Sequence, residues 1–298
     1  MPSRFPALRV DHVSIAVRAI APALAFLGRH FPIEMGIDPR AGYDDQFVWT
    51  DFLLGDWKLE LIESARPGSF VERFLNRRGE GFHHLSLEVE GGTLDAYCAA
   101  LQRQGLRIVD RGDYGGGDVT AFISPRTAPG ILVQFWQVPG FNGASADGER
   151  SPVAERDGVR YRVDHVAVAV RSIDETLRWF ESTFPVESPG PTHPGWDGTH
   201  TLRTLWLAGF KMELLEPRGG GGPIARFLER RGEGFHHLTI DVDRLDRAVG
   251  GLESAGVRVI GRSEVPGGHR SAFIHPHDAH GVLIQLWEPS EFGSARRR

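Results

Sequence analysis

The sequence predicts an α+β protein made of four successive βαβββ units, two in each half of the chain, with curved sheets. Three observations lead there. The chain repeats itself: FLNRRGEGFHHL, from Phe74 to Leu85, returns as FLERRGEGFHHL from Phe227 to Leu238, with eleven of twelve residues identical at an offset of 153. Self-similarity of that kind marks a duplicated architecture and outranks local propensity. Short β-branched runs with period-two alternation are numerous in both halves, as strands require. Between them, each unit holds one stretch with apolar residues at helical spacing, and many strands with one helix per unit point to the α+β class.

The offset of 153 also joins VDHVSIAV at Val10 to VDHVAVAV at Val163, and KLELIE at Lys58 to KMELLE at Lys211. It falls to 151 for AFISP at Ala121 against AFIHP at Ala272, and for GILVQFW at Gly130 against GVLIQLW at Gly281. The halves therefore differ by two residues somewhere between His237 and Ala272. In the second half, His165–Arg171 reads as a strand. Ser172 to Glu175 has the S-x-x-E form of a capping box and opens a helix with Leu177, Phe180 and Phe184 at helical spacing. Strands at Thr201–Ala208 and Phe210–Glu216 follow. The next unit reads as a strand at His237–Val242, a helix at Arg244–Ala255, and strands at Val257–Ile260, Ser271–Ile274 and Val282–Trp287. This places one domain at 1–138 and a second at 158–298, related by a pseudo-twofold axis, with a polar, Gly- and Ser-rich linker at 139–157. The closing Arg296-Arg297-Arg298 reads as a solvated tail.

A length of 298 residues fits two domains of ~150 residues. With 37 Gly and 19 Pro the chain stays below the ~25–30% of these residues that marks low complexity, so it folds. A net charge of −5 exerts no general pull on nucleic acid or an anionic membrane. Cys98 is the one cysteine, which excludes an intrachain disulfide and a zinc site of clustered thiolates. The start, Met1 to Pro6, holds no apolar signal core, and no stretch approaches the ~18 apolar residues of a membrane span. The expectation is a cytoplasmic monomer or homodimer with no nucleic-acid or membrane partner.

Metal-capable side chains interrupt the apolar strands at matched positions in both halves. They are His12 and His165, Glu60 and Glu213, the pairs His83-His84 and His236-His237, and the amides Gln134 and Gln285. A single strand histidine is usually a hydrogen-bonded structural residue, and the Glu of KLELIE alone reads as solvent-facing. Four such positions recurring together read instead as a ligand set. Imidazole with carboxylate or amide oxygen, and no sulfur, suits Fe, Mn, Co, Ni or Zn. Gly219–Gly222 lacks both the ending of a P-loop and the spacing of a dinucleotide fingerprint, and reads as a flexible lip beside the cavity. Trp136, Trp206 and Trp287 lie in strands and could line a pocket, with core packing as the default reading.

The patterns DHVxxAV, K-[LM]-E-L-[IL]-E, GFHHLxxxV and HPxxxxGVLIQLWE together resemble the vicinal-oxygen-chelate (VOC) superfamily. That group includes glyoxalase I, methylmalonyl-CoA epimerase, extradiol dioxygenases and the bleomycin and fosfomycin resistance proteins. The resemblance covers almost all of the chain outside the linker, and the second half follows the epimerase pattern nearly end to end. It implies two curved, open-barrel domains and a divalent ion (Co, Mn, Ni, Zn or Fe). The implied ligands are His12, Glu60, His84 and Gln134 in the first half, and His165, Glu213, His237 and Gln285 in the second. Alternation along a strand selects the inner histidines, His84 and His237, and leaves His83 and His236 to face away.

The chain departs from the family at two places. The last-strand carboxylate, ligand and base in epimerases and glyoxalase I, is Gln134 and Gln285 here, and an amide takes up no proton at neutral pH. The other catalytic glutamate of bacterial epimerases has no counterpart in Thr201–Leu207, and the first half offers Asp51. Glu60 and Glu213 remain as candidate catalytic bases. The resemblance implies a metal-dependent epimerase, isomerase or lyase that removes a proton α to the carbonyl of a small carbonyl compound or acyl thioester. A second reading is a non-haem Fe(II) dioxygenase of the extradiol or hydroxyphenylpyruvate type, with His165, His237 and Glu213 as its facial triad. A third is a ligand-sequestering resistance protein, against which the retained metal residues argue.

Overall fold

The computed structural model describes residues 5–141, 153–265 and 267–292. The first half begins with β1 (Leu8–Ala16), α1 (Ile20–His30), β2 (Ile33–Ala41), β3 (Phe47–Leu54) and β4 (Trp57–Ser64). After α2 (Phe70–Arg78) come β5 (Gly81–Val89), α3 (Leu94–Arg103), β6 (Ile108–Asp113), β7 (Val119–Ile123) and β8 (Leu132–Gln137). The short β9 (Ala154–Arg156) precedes β10 (Val159–Ala169), α4 (Ile173–Thr183), β11 (Val186–Glu187), β12 (His193–Pro194), β13 (His200–Leu207) and β14 (Phe210–Pro217). Then α5 (Pro223–Arg231) leads to β15 (Gly234–Val242), α6 (Leu245–Ser254), β16 (Val259–Val265), β17 (His269–Ile274) and β18 (Leu283–Glu288).

Each half of the sequence builds one open, mixed sheet, so the α+β reading with four βαβββ units holds. The first sheet has eight strands in the order β2-β3-β4-β1-β5-β8-β7-β6. The second has ten, in the order β11-β13-β14-β10-β15-β18-β17-β16, with β12 beside β13 and β9 beside β10. Within the first sheet β1 runs parallel to β4 and β5 parallel to β8, while β3 and β7 join them antiparallel. Among the described residues, no helix is long and apolar enough to cross a membrane.

Several local outcomes differ from the sequence reading. The repeated FLNRR and FLERR segments are helices, α2 and α5, which connect the two units of each half. Ser69 caps α2, its hydroxyl accepting from the Glu72 N–H at 3.0 Å, and α5 starts with Gly222 as N-cap and Pro223 in its first turn. The glycine run therefore ends as a helix start. The two-residue difference between the halves falls in one turn: residues 90–93 join β5 to α3, whereas 243–244 join β15 to α6. Strand β16 runs on to Val265, past a register shift between Ile260 and Ser263 that breaks the period-two pattern. Ser172 does cap α4, accepting from the Glu175 N–H at 3.2 Å. Phe184, however, lies beyond that helix in extended backbone. Residues 142–152 of the expected linker and the Arg296–Arg298 tail lie outside the described residues. The linker's end is not irregular, because β9 pairs antiparallel with β10. Trp136, Trp206 and Trp287 are half-buried and not core residues.

The chain groups into two compact units, each drawing on both halves. One comprises Met1–His12, His83–Gly148 and Ala167–Phe235; the other comprises Val13–Phe82, Glu149–Val166 and His236–Arg298. In the first, the Tyr97 hydroxyl donates to the Thr183 carbonyl and the Trp179 indole donates to the Thr127 carbonyl at 2.9 Å. In the second, Phe31 meets Tyr161 edge-on at 5.9 Å. Each unit also contains a backbone crossing that only glycine permits. A Cβ on Gly130 would lie 1.9 Å from the Glu233 carbonyl oxygen, and one on Gly281 would lie 1.9 Å from that of Glu80. Both glycines sit at positive φ, +70° and +78°. The crossing joins the GEG segment of one half to the glycine that ends SPRTAPG or HPHDAHG in the other, so the repeated letters serve packing. Gly281→Ala and Gly130→Ala should each cost more than about 2 kcal/mol, because a steric clash adds to the ~1–2 kcal/mol of left-handed backbone. Gly92→Ala, at φ +77° with open space around it, should show only the backbone part. Denaturant titration compares the three.

Candidate metal centre

Four strands that are consecutive in the first sheet, β4, β1, β5 and β8, carry Glu60, His12, His84 and Gln134. Register puts all four on one face. Ser14 pairs with Glu60 across β1 and β4, and Ser86 pairs with Gln134 across β5 and β8. Side chains two apart share a face, so His12 lies with Ser14 and Glu60, and His84 with Ser86 and Gln134. The same face continues to Asp51 on β3, in register with Glu60, and to Phe122 on β7, in register with Gln134. At one end it is covered by α2: Ala16 and Ile62, also on this face, pack against Val71 and Leu75, with Phe47, Trp49, Phe70 and Phe74 around them.

His12, Glu60 and His84 are buried, and one ligand atom of each lies within 4.8 Å of the others. Among the described residues this is the one group of three His, Cys, Asp or Glu side chains that meets that condition. His12 Nε2 is 3.3 Å from His84 Nε2, which is 3.0 Å from Gln134 Oε1. Donors held ~2.1 Å from a common ion at tetrahedral or octahedral angles stand ~3.0–3.4 Å apart, so the spacing fits a cation. Each imidazole is held from behind. The His12 Nδ1–H donates to Asp11 Oδ2 at 2.6 Å, which leaves Nε2 with its lone pair facing the group. His84 Nδ1 lies 2.9 Å from His83 Nδ1, so Nε2 is the ring atom turned to His12 and Gln134. Atoms that can each ligate then meet in a buried place, an arrangement that fits a cation. The Ser14 and Ser86 hydroxyls beside them are fully buried and have no hydrogen-bond partner.

The second sheet repeats the layout with altered detail. His165, His237 and Gln285 are buried and Glu213 is half-buried. The His165 Nδ1–H donates to Asp164 at 2.7 Å, and His237 Nδ1 lies 2.8 Å from His236 Nδ1. The His165 and His237 rings are 5.7 Å apart, against 5.4 Å for His12 and His84. Here, however, Thr239 stands at the position of Ser86, and its hydroxyl is 3.0 Å from His165 Nε2 and 2.9 Å from Gln285 Oε1. Ala167 replaces Ser14, and Thr204 pairs with Glu213 where Asp51 pairs with Glu60.

His83 and His236, expected to face away, contact their neighbours instead. Nδ1 is bonded to the ring carbon nearest the backbone, so rings leaving opposite faces of a strand can still meet through these atoms. The sequence points to no role for the serines; a small polar residue two positions after each candidate ligand histidine of the first half was the available signal. Cys98 takes no part: burial above all, with Asp95 adding, pushes its thiol up to about 11.

Two open mixed sheets of βαβββ units with histidine, carboxylate and amide on consecutive strands define a class of protein. The chain belongs to the Glyoxalase/Bleomycin resistance protein/Dioxygenase superfamily, whose profile matches residues 11–123 and again 164–273. It is 36% identical over 129 residues to ethylmalonyl-CoA/methylmalonyl-CoA epimerase of Cereibacter sphaeroides, covering 42% of this chain and 96% of the relative. It is 33% identical over 132 residues to the mitochondrial methylmalonyl-CoA epimerase of Homo sapiens, covering 42% of this chain and 72% of the relative. A solved variant of 4-hydroxymandelate synthase from Streptomyces coelicolor shares the fold along nearly the full length: 98% of this chain and 95% of that one, with a TM-score of 0.62 at 16% identity.

Residues that hold ligand imidazoles from behind tune affinity without touching the ion, and losing one typically costs ~10–100-fold. Asp11→Ala and His83→Gln should each weaken Co²⁺ binding by about that factor while far-UV circular dichroism stays unchanged. Competition with a chromogenic chelator reads the affinity.

Proposed function

We propose that the chain is a divalent-metal-dependent isomerase, epimerase or lyase that removes a proton α to the carbonyl of a small carbonyl compound or acyl thioester. The observation that carries this reading is the buried convergence of His12, Glu60 and His84 within 4.8 Å, with Gln134 beside them. The relatives named as epimerases of acyl-CoA compounds support the acyl thioester as substrate class. An ion held by these residues, with Co, Mn, Ni, Zn and Fe all compatible, would stabilise negative charge developing on a carbonyl oxygen.

The chain's own groups supply the rest. Gln134 can offer an oxygen but cannot accept a proton. That leaves Glu60 and, across the β3–β4 ladder, Asp51 as the carboxylates that can take one. The apolar group under α2, with Phe47, Trp49, Phe70 and Phe74, keeps water from that end of the face. Asp11 and His83 fix the imidazoles so that Nε2 stays directed at the group. Glu213 stands at the matching position of the second half.

Two histidines and one carboxylate also make the facial triad of non-haem Fe(II) oxygenases, so dioxygenation is the second reading. Incubating acyl-thioester and small carbonyl substrates with metal-loaded protein in D₂O separates the two. Proton abstraction predicts deuterium at the carbon α to the carbonyl with no oxygen consumed; oxygen uptake stoichiometric with product and no deuterium overturns it in favour of the dioxygenase. Glu60→Gln should lower turnover ~10²–10⁴-fold, the usual loss of a base, and lower metal content far less, because an amide still ligates. Asp51→Asn, measured alongside, decides which carboxylate takes the proton.

A further inference from the structure

We infer that only the first half of the chain binds a metal ion tightly, and that Thr239 is the residue that withholds the second set. The inference rests on the metal reading above and restricts it to His12, Glu60, His84 and Gln134.

Both halves keep the same four donor types at matched strand positions, yet the described residues contain one close trio, in the first half. The difference lies two residues after the ligand histidine. Ser86 and Thr239 occupy equivalent places, each in register with the glutamine of the neighbouring parallel strand. In the first half the serine hydroxyl bonds nothing, and the donors approach each other directly, His12 to His84 at 3.3 Å and His84 to Gln134 at 3.0 Å. In the second half the threonine hydroxyl stands between His165 Nε2 and Gln285 Oε1, at 3.0 and 2.9 Å.

Its two partners show how it is held there. His165 Nδ1 is turned to Asp164 Oδ2, so Nε2 is the ring atom that faces the Thr239 hydroxyl. That hydroxyl donates to Gln285 Oε1 at 2.9 Å while standing 3.0 Å from His165 Nε2. Both donor atoms thereby have a hydroxyl partner without an ion. A β-branched side chain is stiff about χ1, so the hydroxyl of Thr239 leaves this place less readily than a serine would. The partnerless polar groups follow the same division: the first face has two buried hydroxyls with no protein partner, Ser14 and Ser86, whereas the second has Ala167 and the engaged Thr239.

The test uses the full chain, stripped with a chelator and titrated with Co²⁺. Bound metal is read by equilibrium dialysis with elemental analysis and by the d–d absorption of the ion. One tight equivalent per chain is expected, with any second at least about tenfold weaker. His12→Ala should remove the tight equivalent and His165→Ala should leave it. The conservative exchange keeps the question answerable if a histidine variant fails to fold. Thr239→Ser should bring a second tight equivalent, and Ser86→Thr should weaken the first by about 10–100-fold, the range for groups adjoining metal ligands. Two equal equivalents in the unaltered chain, or a tight site lost with His165 and kept without His12, would overturn the inference. So would a Thr239→Ser protein that still binds one. Binding of no metal by any form would instead overturn the metal reading on which the inference stands.

Discussion

A β-strand turns every second side chain to the same face, so the donor group exists only while four strands keep their registers. A slip of one residue between β1 and β4 would leave Glu60 on the face opposite His12, and a slip between β5 and β8 would do the same to Gln134. The sheet secures both ladders by burying apolar residues on its other face. Val13, Ile15, Leu59, Leu61, Leu85, Leu87, Val133 and Phe135 alternate with the polar positions and are 5% exposed or less. The alternation that makes a core on one side therefore aligns the imidazoles, carboxylate and amide on the other. Neighbouring strands lie ~4.8 Å apart, close enough for side chains on adjacent strands to close the remaining distance around one ion.

Each βαβββ unit would leave its donor face open at one end, and α2 closes it. The helix sits between β4 and β5, the strands that flank β1, and lays Val71 and Leu75 on Ala16 and Ile62. In the second half α5 repeats this with Ile224 and Leu228 on Ala167, Ala169 and Leu215. Immediately after each helix the chain reaches the glycine crossings at Glu80-Gly81 and Glu233-Gly234. The twelve-residue repeat thus joins a covering helix, a backbone crossing and the candidate ligand histidine in one piece of chain. None of the three can move without displacing the others.

That compactness explains what could be read from the letters. The strands, the duplication and the positions of His12, Glu60, His84, Gln134 and their second-half equivalents follow from period-two alternation broken by the same polar residues twice. The covering helices were harder to see because FLNRR and FLERR are only nine residues long as helices and carry more charge than apolar surface. Their boundary signals were nevertheless present: Ser69 three residues before Glu72, Pro223 after Gly222, and Gly79 and Gly232 past the last turns. The grouping of the chain into units that draw on both halves had no local signal, since it depends on where Gly130 and Gly281 meet a distant carbonyl. Nor does a Ser-to-Thr difference announce itself. Its consequence lies in where one hydroxyl points among three other polar atoms.

The substitution of glutamine for a carboxylate on the last strand changes both charge and proton traffic. A divalent ion held by two imidazoles, one carboxylate and one amide would meet a single negative charge from the protein, which would leave more of its own charge for a carbonyl oxygen. The amide also removes any base from the β8 side of the face, where Phe122 stands next in register. The carboxylates next to the donor group, Glu60 and Asp51, lie on the β4–β3 side, while Glu88 farther along β5 is paired with Arg9. A proton taken from a substrate carbon there would have to return from the same side. Same-side return suits transfer between adjacent carbons, as in an isomerisation, or loss of a leaving group. Inversion at one carbon demands more: the planar anion must turn over between removal and return, or a second donor must come from water. Within the proposed reaction class, an epimerisation at this face would need that second donor, whereas an isomerisation or an elimination would not.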